Sequence, residues 1–391
     1  MLLFAGIIYA WSLLRFPFEA IWDSEALLGL NYTLTITFFC IGGLCSGLIS
    51  KKTKPMHRLI LSAVLLFAGF FIASRLVGAE GTSIVWLYLS YGVLCGTGIG
   101  FVYNTVISAT NAWYPDKTGF SAGILLAGFG LSLITLGSLA EMLGKSEAIG
   151  WRNTFLIIAI TMGVILLVAA FVVKPPPPDT VFPEKKESKR SKKKKKVRDY
   201  STLDMIKRPA FYKIFFIMLV LSATGSAAIG CAKRIALDVG AIEGEGFLTV
   251  AVGLLGVSNA FGRFAIGWFY DNIGTRNTQY VVSVTAVAAP LAIVAALLSG
   301  SLALGVLGLC MCGFAFGLAP TTGSVFVSKF YGPRNFALNF SVVNLVLVPA
   351  PFATTMAGWL RDTTDSFLIA FIILAALSLI GAIVNLTIKK A

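Results

Sequence analysis

Histidine is almost missing from this chain, and charge is scarce. His57 is the only histidine among 391 residues, and Asp, Glu, Lys and Arg together make up 13% against 57% hydrophobic residues. A lone histidine in a basic loop offers no proton relay. No zinc site, catalytic triad or phosphate-binding loop can be assembled from the inventory. The six cysteines, Cys40, Cys45, Cys95, Cys231, Cys310 and Cys312, all fall inside apolar runs without paired metal-type spacing and read as small core residues. Enzymatic chemistry, a cofactor and a metal are therefore not expected. With a mean hydropathy of +0.84, the chain also has too few charges to coat a water-soluble globule of its size. What remains is a polytopic membrane protein.

Windows of about 20 apolar residues predict spans near 1–17, 30–50, 59–78, 84–110, 119–140, 152–173, 211–232, 247–270, 279–298, 301–325, 335–358 and 366–388. The expected fold is an all-α integral membrane protein with twelve transmembrane helices. Two pseudo-symmetric six-helix bundles, 1–173 and 209–391, are joined by a basic linker, 174–208. The first span is short because Met1 falls inside the apolar run, so either the true start lies upstream or the amino terminus barely emerges from the bilayer.

Charge placement sets the expected orientation. The linker opens on Lys174-Pro-Pro-Pro-Pro, contains Lys192 to Lys196 and holds a large part of the net charge of +14, so the positive-inside rule puts it in the cytoplasm. Lys51, Lys52, Lys54, Arg58, Lys389 and Lys390 fall on the same side, and Glu19, Asp23, Glu80, Glu147, Glu243, Glu245, Asp362 and Asp365 on the other. Lys233 and Arg234 are the exceptions. Both termini are thus expected in the cytoplasm of a plasma-membrane protein. Pro-rich and Lys-rich sequence between two apolar blocks is a disordered connector whose lysines also attract anionic lipid. No aromatic interleaving accompanies the lysines, so nucleic-acid binding is not expected. The chain is taken as a monomer in the bilayer.

One residue stands out against this background. Arg263 lies inside an apolar, glycine-dotted segment that runs from Phe247 to Trp268. A guanidinium at mid-membrane costs about 2.5–3.5 kcal/mol on insertion scales, so it faces a cavity, a partner or a substrate. Asn259 lies one turn earlier on the same helical face, where an amide and a guanidinium can converge on one anion. The planar fork matches a carboxylate bidentately. The plainer alternative is a structural arginine held by backbone carbonyls or by a neighbour such as Glu141.

The two blocks of spans repeat a spacing at the turn after their second helix. The first reads Gly43-x-x-x-Gly47-x-x-x-Lys51 and the second Gly267-x-x-x-Asp271-x-x-Gly274-x-Arg276. The second copy resembles the signature loop of the major facilitator superfamily, whose parallel six-helix halves hold substrate near the midplane. The first departs from it, with Lys51 where the acid is expected. Glycine lets helices approach closely, and an acid at a helix end can pair across a moving seam. Asp271, with Gly267 and Arg276, is therefore a gate candidate, or else a plain loop solubiliser.

A closer likeness runs along the chain. It is carried by Gly6-Ile-Ile-Tyr9-Ala-Trp11-Ser12, by Gly92-x-x-x-Gly96-x-Gly98-x-Gly100-Phe-x-Tyr103, and by Trp113-Tyr-Pro115-Asp116-Lys117-x-Gly119-x-x-x-Gly123-x-x-x-Ala127-Gly128-Phe129-Gly130-Leu131. Ile149-Gly150-Trp151-Arg152-x-Thr154-Phe155 and Asn259-x-x-Gly262-Arg263 complete it. Together these resemble the oxalate/formate antiporter and monocarboxylate transporter branch of the superfamily.

The resemblance implies a small carboxylate substrate. It also implies that aromatic residues of the first and fourth helices line the cavity, here Tyr9, Trp11 and Tyr103, with Asn104 following at the end of the same strip. For each of these, plain helix packing is the alternative, and Gly92, Gly96 and Gly100 read as packing residues. The oxalate exchangers carry a second cation in the eleventh helix, and Val343 or Asn344 stands there in this chain. Arg15 is a possible replacement. One fixed cation suits one negative charge, so a monocarboxylate such as formate, lactate or pyruvate fits better than a dianion with a buried, unpaired second charge. The proton-coupled carriers have an aspartate where Asn259 stands and a lysine where Leu13 stands. Proton symport by that pair is thus disfavoured, which leaves exchange, the favoured mode, facilitated diffusion, or coupling through Glu141 or another acid; the alternative functions are a proton-coupled monocarboxylate symporter, an oxalate/formate-type antiporter and a facilitator of another solute. Rocking of the halves would bend at Pro320, Pro349 and Pro351.

Overall fold

Among the residues it describes, 1–19, 21–22, 25–75, 83–177, 180, 199–241 and 246–388, the computed structural model is helical throughout and has no strand. Ten helices are long and apolar enough to cross a membrane: α2 (Leu27–Ile49), α3 (Pro55–Arg75), α4 (Val85–Trp113), α5 (Thr118–Lys145), α6 (Gly150–Val172), α7 (Pro209–Asp238), α9 (Gly274–Ser299), α10 (Leu302–Tyr331), α11 (Phe336–Thr364) and α12 (Leu368–Leu386). A broken helical segment over 2–19 (α1) and the helix Gly246–Asn272 (α8) bring the total to twelve. Asp23, Glu80, Glu243, Glu245, Lys192 to Lys196, Lys389 and Lys390 lie outside the described residues. The membrane face from which α6 leaves and α7 enters is called the linker face below.

Local sequence explains where helices start and stop. Gly300 takes a left-handed conformation (φ 62°) that ends α9, and Ser301 then caps α10. Pro209 occupies the first turn of α7, where no intrahelical N–H is needed. In α11 the regular helix runs over Phe336–Asn344 and resumes at Phe352, with Pro349 and Pro351 in the irregular turn between. Helix α10 instead carries through Pro320 and changes to a wider π-turn at Val327–Tyr331.

The first six helices pack among themselves, as do the last six, and two seams join the groups: α5 against α8, and α2 with α4 against α11. Small residues allow the close crossings that membrane helices need, since lipid supplies no hydrophobic drive between them. Gly100 of α4 lies on the backbone of α2 at Phe39 and Gly42, as the packing reading of that strip expected. Charges on the face opposite the linker are locally neutralised. Arg234 pairs with Asp362 at 3.7 Å and Arg361 with Asp238 at 3.6 Å, so Arg234, one of the two exceptions to the charge rule, carries its own acid.

Candidate substrate site and gate

Between the two seams lies a cavity whose walls come from both halves. Tyr9 of α1, Tyr32 and Phe39 of α2 and Phe129 of α5 face Ser226 of α7 and Phe316 of α10. Its free volume is ≈ 20 Å³, about the room one ordered water takes. A substrate therefore enters only if side chains or halves move apart.

Arg263 stands behind this wall. It is 1% exposed. Its Nε donates to Asn259 Oδ1 at 3.1 Å, its Nη1 to the Leu126 carbonyl at 3.4 Å and its Nη2 to the Tyr9 hydroxyl at 3.3 Å. The guanidinium carbon is 5.5 Å from the centre of the Tyr9 ring and 6.0 Å from that of Phe129. These two rings meet edge to face at 5.3 Å and screen the cation from the cavity. A guanidinium has five N–H donors. Here two of three hydrogen bonds lie beyond the usual 3.2 Å limit, and among the described residues no carboxylate pairs with it. Glu141 pairs with Lys145 instead. It sits eleven residues beyond Gly130, the residue of α5 beside Arg263, or about 16 Å along the helix. The buried cation is thus held in place but left short of negative charge.

The sequence candidates divide between this site and its surroundings. Asn259, 7% exposed, orients the guanidinium from one turn away. Tyr103 forms a second layer, with its ring 5.2 Å from Phe129, 5.1 Å from Phe39 and stacked on Phe340 at 5.8 Å. Asn344 stands beside the Tyr103 hydroxyl with its own Oδ1 buried and unpartnered. Trp11 points elsewhere, donating from Nε1 to the Leu28 carbonyl at 3.1 Å and packing on Tyr91. Residues two apart on a helix do not share a face, so Tyr9 and Trp11 cannot both look into the cavity. Tyr32, Phe39, Phe129 and Phe316 were not singled out by sequence. Tyr32, Ile36 and Phe39 repeat at helical spacing, but so does any packed face.

Asn104 belongs to a seam on the linker face. Its Nδ2 donates to the Ala337 carbonyl at 2.8 Å and to Ser341 Oγ at 2.6 Å, and Ser341 Oγ lies 2.7 Å from the Gly43 carbonyl. Asn111 Nδ2 likewise donates to Ser324 Oγ at 3.2 Å. Lys51, where the first repeat lacks its acid, is exposed. Neutral hydrogen bonds take the place of an ionic latch here.

The second repeat closes the other seam with charge. The Phe120 N–H, an unpaired donor in the first turn of α5, donates to Asp271 Oδ2 at 2.7 Å. Lys329 Nζ of α10 reaches Asp271 Oδ1 at 3.2 Å and the Tyr270 carbonyl at 2.9 Å. A carboxylate from one half thus caps the helix of the other. Gly267 lies directly on the Gly119 carbonyl. Arg276 is not in the seam. Its Nη1 donates to the Leu386 carbonyl at 2.6 Å, tying α9 to the end of α12. Lys329 is the partner of Asp271 that sequence spacing did not reveal, since it lies 58 positions away.

Replacing Asp271 by alanine removes the cap and the ion pair together. Hydrogen bonds to a charged group contribute about 1.5–3 kcal/mol, so the open population of the linker face should rise about tenfold or more. Maleimide labelling of a cysteine placed at Ser324 in a cysteine-free background should accelerate accordingly. An unchanged rate would remove Asp271 from the gate.

Residues 1–353 match the family profile described as the Major Facilitator Superfamily. The oxalate:formate antiporter of Oxalobacter formigenes is 23% identical over 340 residues, covering 86% of this chain and 77% of that one. Monocarboxylate transporter 12 of Rattus norvegicus is 26% identical over 361 residues, covering 85% of this chain and 72% of its own. Among solved structures, the fucose:proton symporter FucP of E. coli superimposes with a TM-score of 0.69 at 14% identity, over 98% of this chain and 97% of that one. At that identity the likeness is one of fold.

Proposed function

Because the chain belongs to the Major Facilitator Superfamily, and is thus a multi-pass membrane transporter rather than an enzyme, we propose that it carries a small monocarboxylate across the membrane by alternating access, in exchange for another. The observation that carries this reading is the buried, under-coordinated guanidinium of Arg263 beside a cavity between the halves. The names of the two relatives agree with a carboxylate.

In this mechanism the substrate carboxylate takes over the long hydrogen bonds that Arg263 makes to Tyr9 and the Leu126 carbonyl. Tyr9 and Phe129 swing aside to admit it and then exclude water around the ion pair, where the attraction is strongest. A single cation matches a single charge, and a dianion would bury its second charge unpaired. Asn259 does not titrate, which favours exchange over proton symport.

Residues 1–173 and 209–391 move as the two rocking bodies. The linker face is cytoplasmic by its lysines and arginines, and with it both termini of a plasma-membrane protein. Asp271, Lys329 and the Asn104–Ser341 pair keep that face shut while the other is loaded. The site uses side chains of one chain only, so a monomer suffices.

The test is counterflow of labelled formate, lactate, pyruvate and oxalate into proteoliposomes, with and without a pH gradient. Monocarboxylate exchange indifferent to the gradient is expected. Uptake of none of these acids, or of oxalate alone, would refute the substrate assignment, and uptake that requires the gradient would refute exchange.

A further inference from the structure

Two hydroxyl groups on the cavity wall take no part in holding Arg263. Tyr32 of α2 and Ser226 of α7 both line the space between the halves, and both are half-buried. Among the described residues neither side-chain oxygen has a hydrogen-bond partner. Tyr9, the third hydroxyl there, already accepts from Arg263. The other lining side chains, Ile8, Ile36, Leu347 and Ala350 among them, are hydrocarbon. An apolar wall with a few placed polar groups is how a small-molecule site fixes the orientation of what it holds.

Each group is held by the packing of its own half. Gly225 seats α7 directly on the Phe316 side chain of α10, and Thr354 Oγ1 of α11 donates to the Ser226 carbonyl at 2.8 Å. The Ser226 backbone is thus fixed while its hydroxyl stays unengaged. Tyr32 follows Asn31, which is fully buried where Gly92 of α4 approaches α2. The Tyr32 hydroxyl lies within electrostatic range of the Tyr9 hydroxyl, which meets the guanidinium. Depth orders the groups. Tyr32 stands five residues, about 7 Å, inside the end of α2 opposite the linker face, whereas Arg263 stands nine residues, about 14 Å, from the linker-face end of α8. A carboxylate on Arg263 therefore extends its remaining atoms toward Tyr32 and Ser226, one hydroxyl from each half.

We propose that Tyr32 and Ser226 select the substrate by an oxygen on the carbon next to its carboxylate, so that the transported class is short 2-hydroxy and 2-oxo monocarboxylates rather than formate or an unsubstituted acid. This rests on carboxylate binding at Arg263. A 2-hydroxyl can donate to one group and accept from the other, and a 2-oxo oxygen can accept from both. The hydrocarbon wall receives the tail, and an acid without that oxygen gives up both hydrogen bonds. Because one hydroxyl belongs to each half, the same contacts draw the halves together over the substrate.

The test is counterflow of labelled lactate into proteoliposomes holding the full-length protein, with lactate, pyruvate, propionate and formate as competitors. Propionate has nearly the shape of lactate and lacks only the 2-oxygen. In the parent, half-inhibition should need about tenfold or more propionate than lactate, with pyruvate close to lactate and formate weakest. Ser226→Ala and Tyr32→Phe each remove one oxygen and little else. Each should weaken lactate and pyruvate about three- to tenfold and leave propionate unchanged, a split that a general packing defect would not produce. Equal inhibition of the parent by lactate and propionate, a preference for formate, or variants that weaken every acid alike would overturn the selection by Tyr32 and Ser226 while carboxylate exchange at Arg263 stands. Exchange of none of the four acids would overturn both.

Discussion

Arg263→Gln should abolish carboxylate counterflow, lowering it about a hundredfold or more, while leaving the protein folded and its melting temperature unchanged or higher. The two effects have opposite physical origins. In the proposed mechanism transport depends on a charge that attracts the substrate in a water-poor site, where removing one partner of a buried, hydrogen-bonded charge pair costs about 2–5 kcal/mol. Stability sees the same charge as a burden, since among the described residues it has no carboxylate partner and two of its hydrogen bonds are long. Glutamine fills similar space, can still meet Asn259 and carries no charge. Arg263→Lys tests geometry separately from charge. An ammonium cannot span Asn259 Oδ1 and the Tyr9 hydroxyl as the fork does, so transport should fall at least about tenfold with charge retained. Counterflow in proteoliposomes alongside a melting curve reads both quantities. A glutamine variant that exchanges carboxylates at the parental rate would end the assignment of Arg263 as the anion ligand.

The parts of this arrangement that sequence made legible are those that one helix encodes by itself. Arg263 is conspicuous because an ionised group in an apolar run is costly anywhere along it, and Asn259 follows because one helical turn joins the two whatever surrounds them. The membrane spans are legible for the same reason, length and apolarity being local. Contacts made by two helices distant in sequence were not legible. Asn104 reads as a polar residue at the end of a cavity strip, and its amide is bonded to Ala337 and Ser341 of α11, because only the meeting of α4 with α11 decides what it faces. Trp11 and Tyr9 belong to one quoted motif, yet the rotation of α1 turns one into the bundle and the other to the cavity. Lys329 carries no local mark at all. Its role exists only where a π-turn of α10 passes Asp271. The missing acid at Lys51 was legible, but its consequence was not, since neutral hydrogen bonds between Asn104, Ser341 and Gly43 hold that seam.

The α5–α8 seam makes the other large prediction. At Gly267 a Cβ would run into the Gly119 carbonyl and approach Gly123 Cα to 3.2 Å; reciprocally, a Cβ at Gly119 would meet the Gly267 carbonyl at 2.6 Å. Both obstacles are backbone, which cannot rotate away as a side chain can, so any side chain here forces the helices apart. Overpacking of this kind costs about 1–3 kcal/mol, and it is felt only in the conformation where the linker face is shut. Gly267→Ala should therefore lower the shut population about five- to 150-fold, and Gly267→Val should lower it further. Counterflow should fall in step, because a carrier that cannot close one mouth cannot offer the other. Gly253 lies on the same helix with no atom within 4 Å of its virtual Cβ, so Gly253→Ala controls for the helical effect of adding a methyl group. Gly267→Ala should increase maleimide labelling at the linker face and widen a spin-label distance across α5 and α8, and Gly253→Ala should do neither. If the two alanine variants exchange substrate equally well, closure does not run through the contact between Gly119 and Gly267, and the α5–α8 crossing is packing rather than gate.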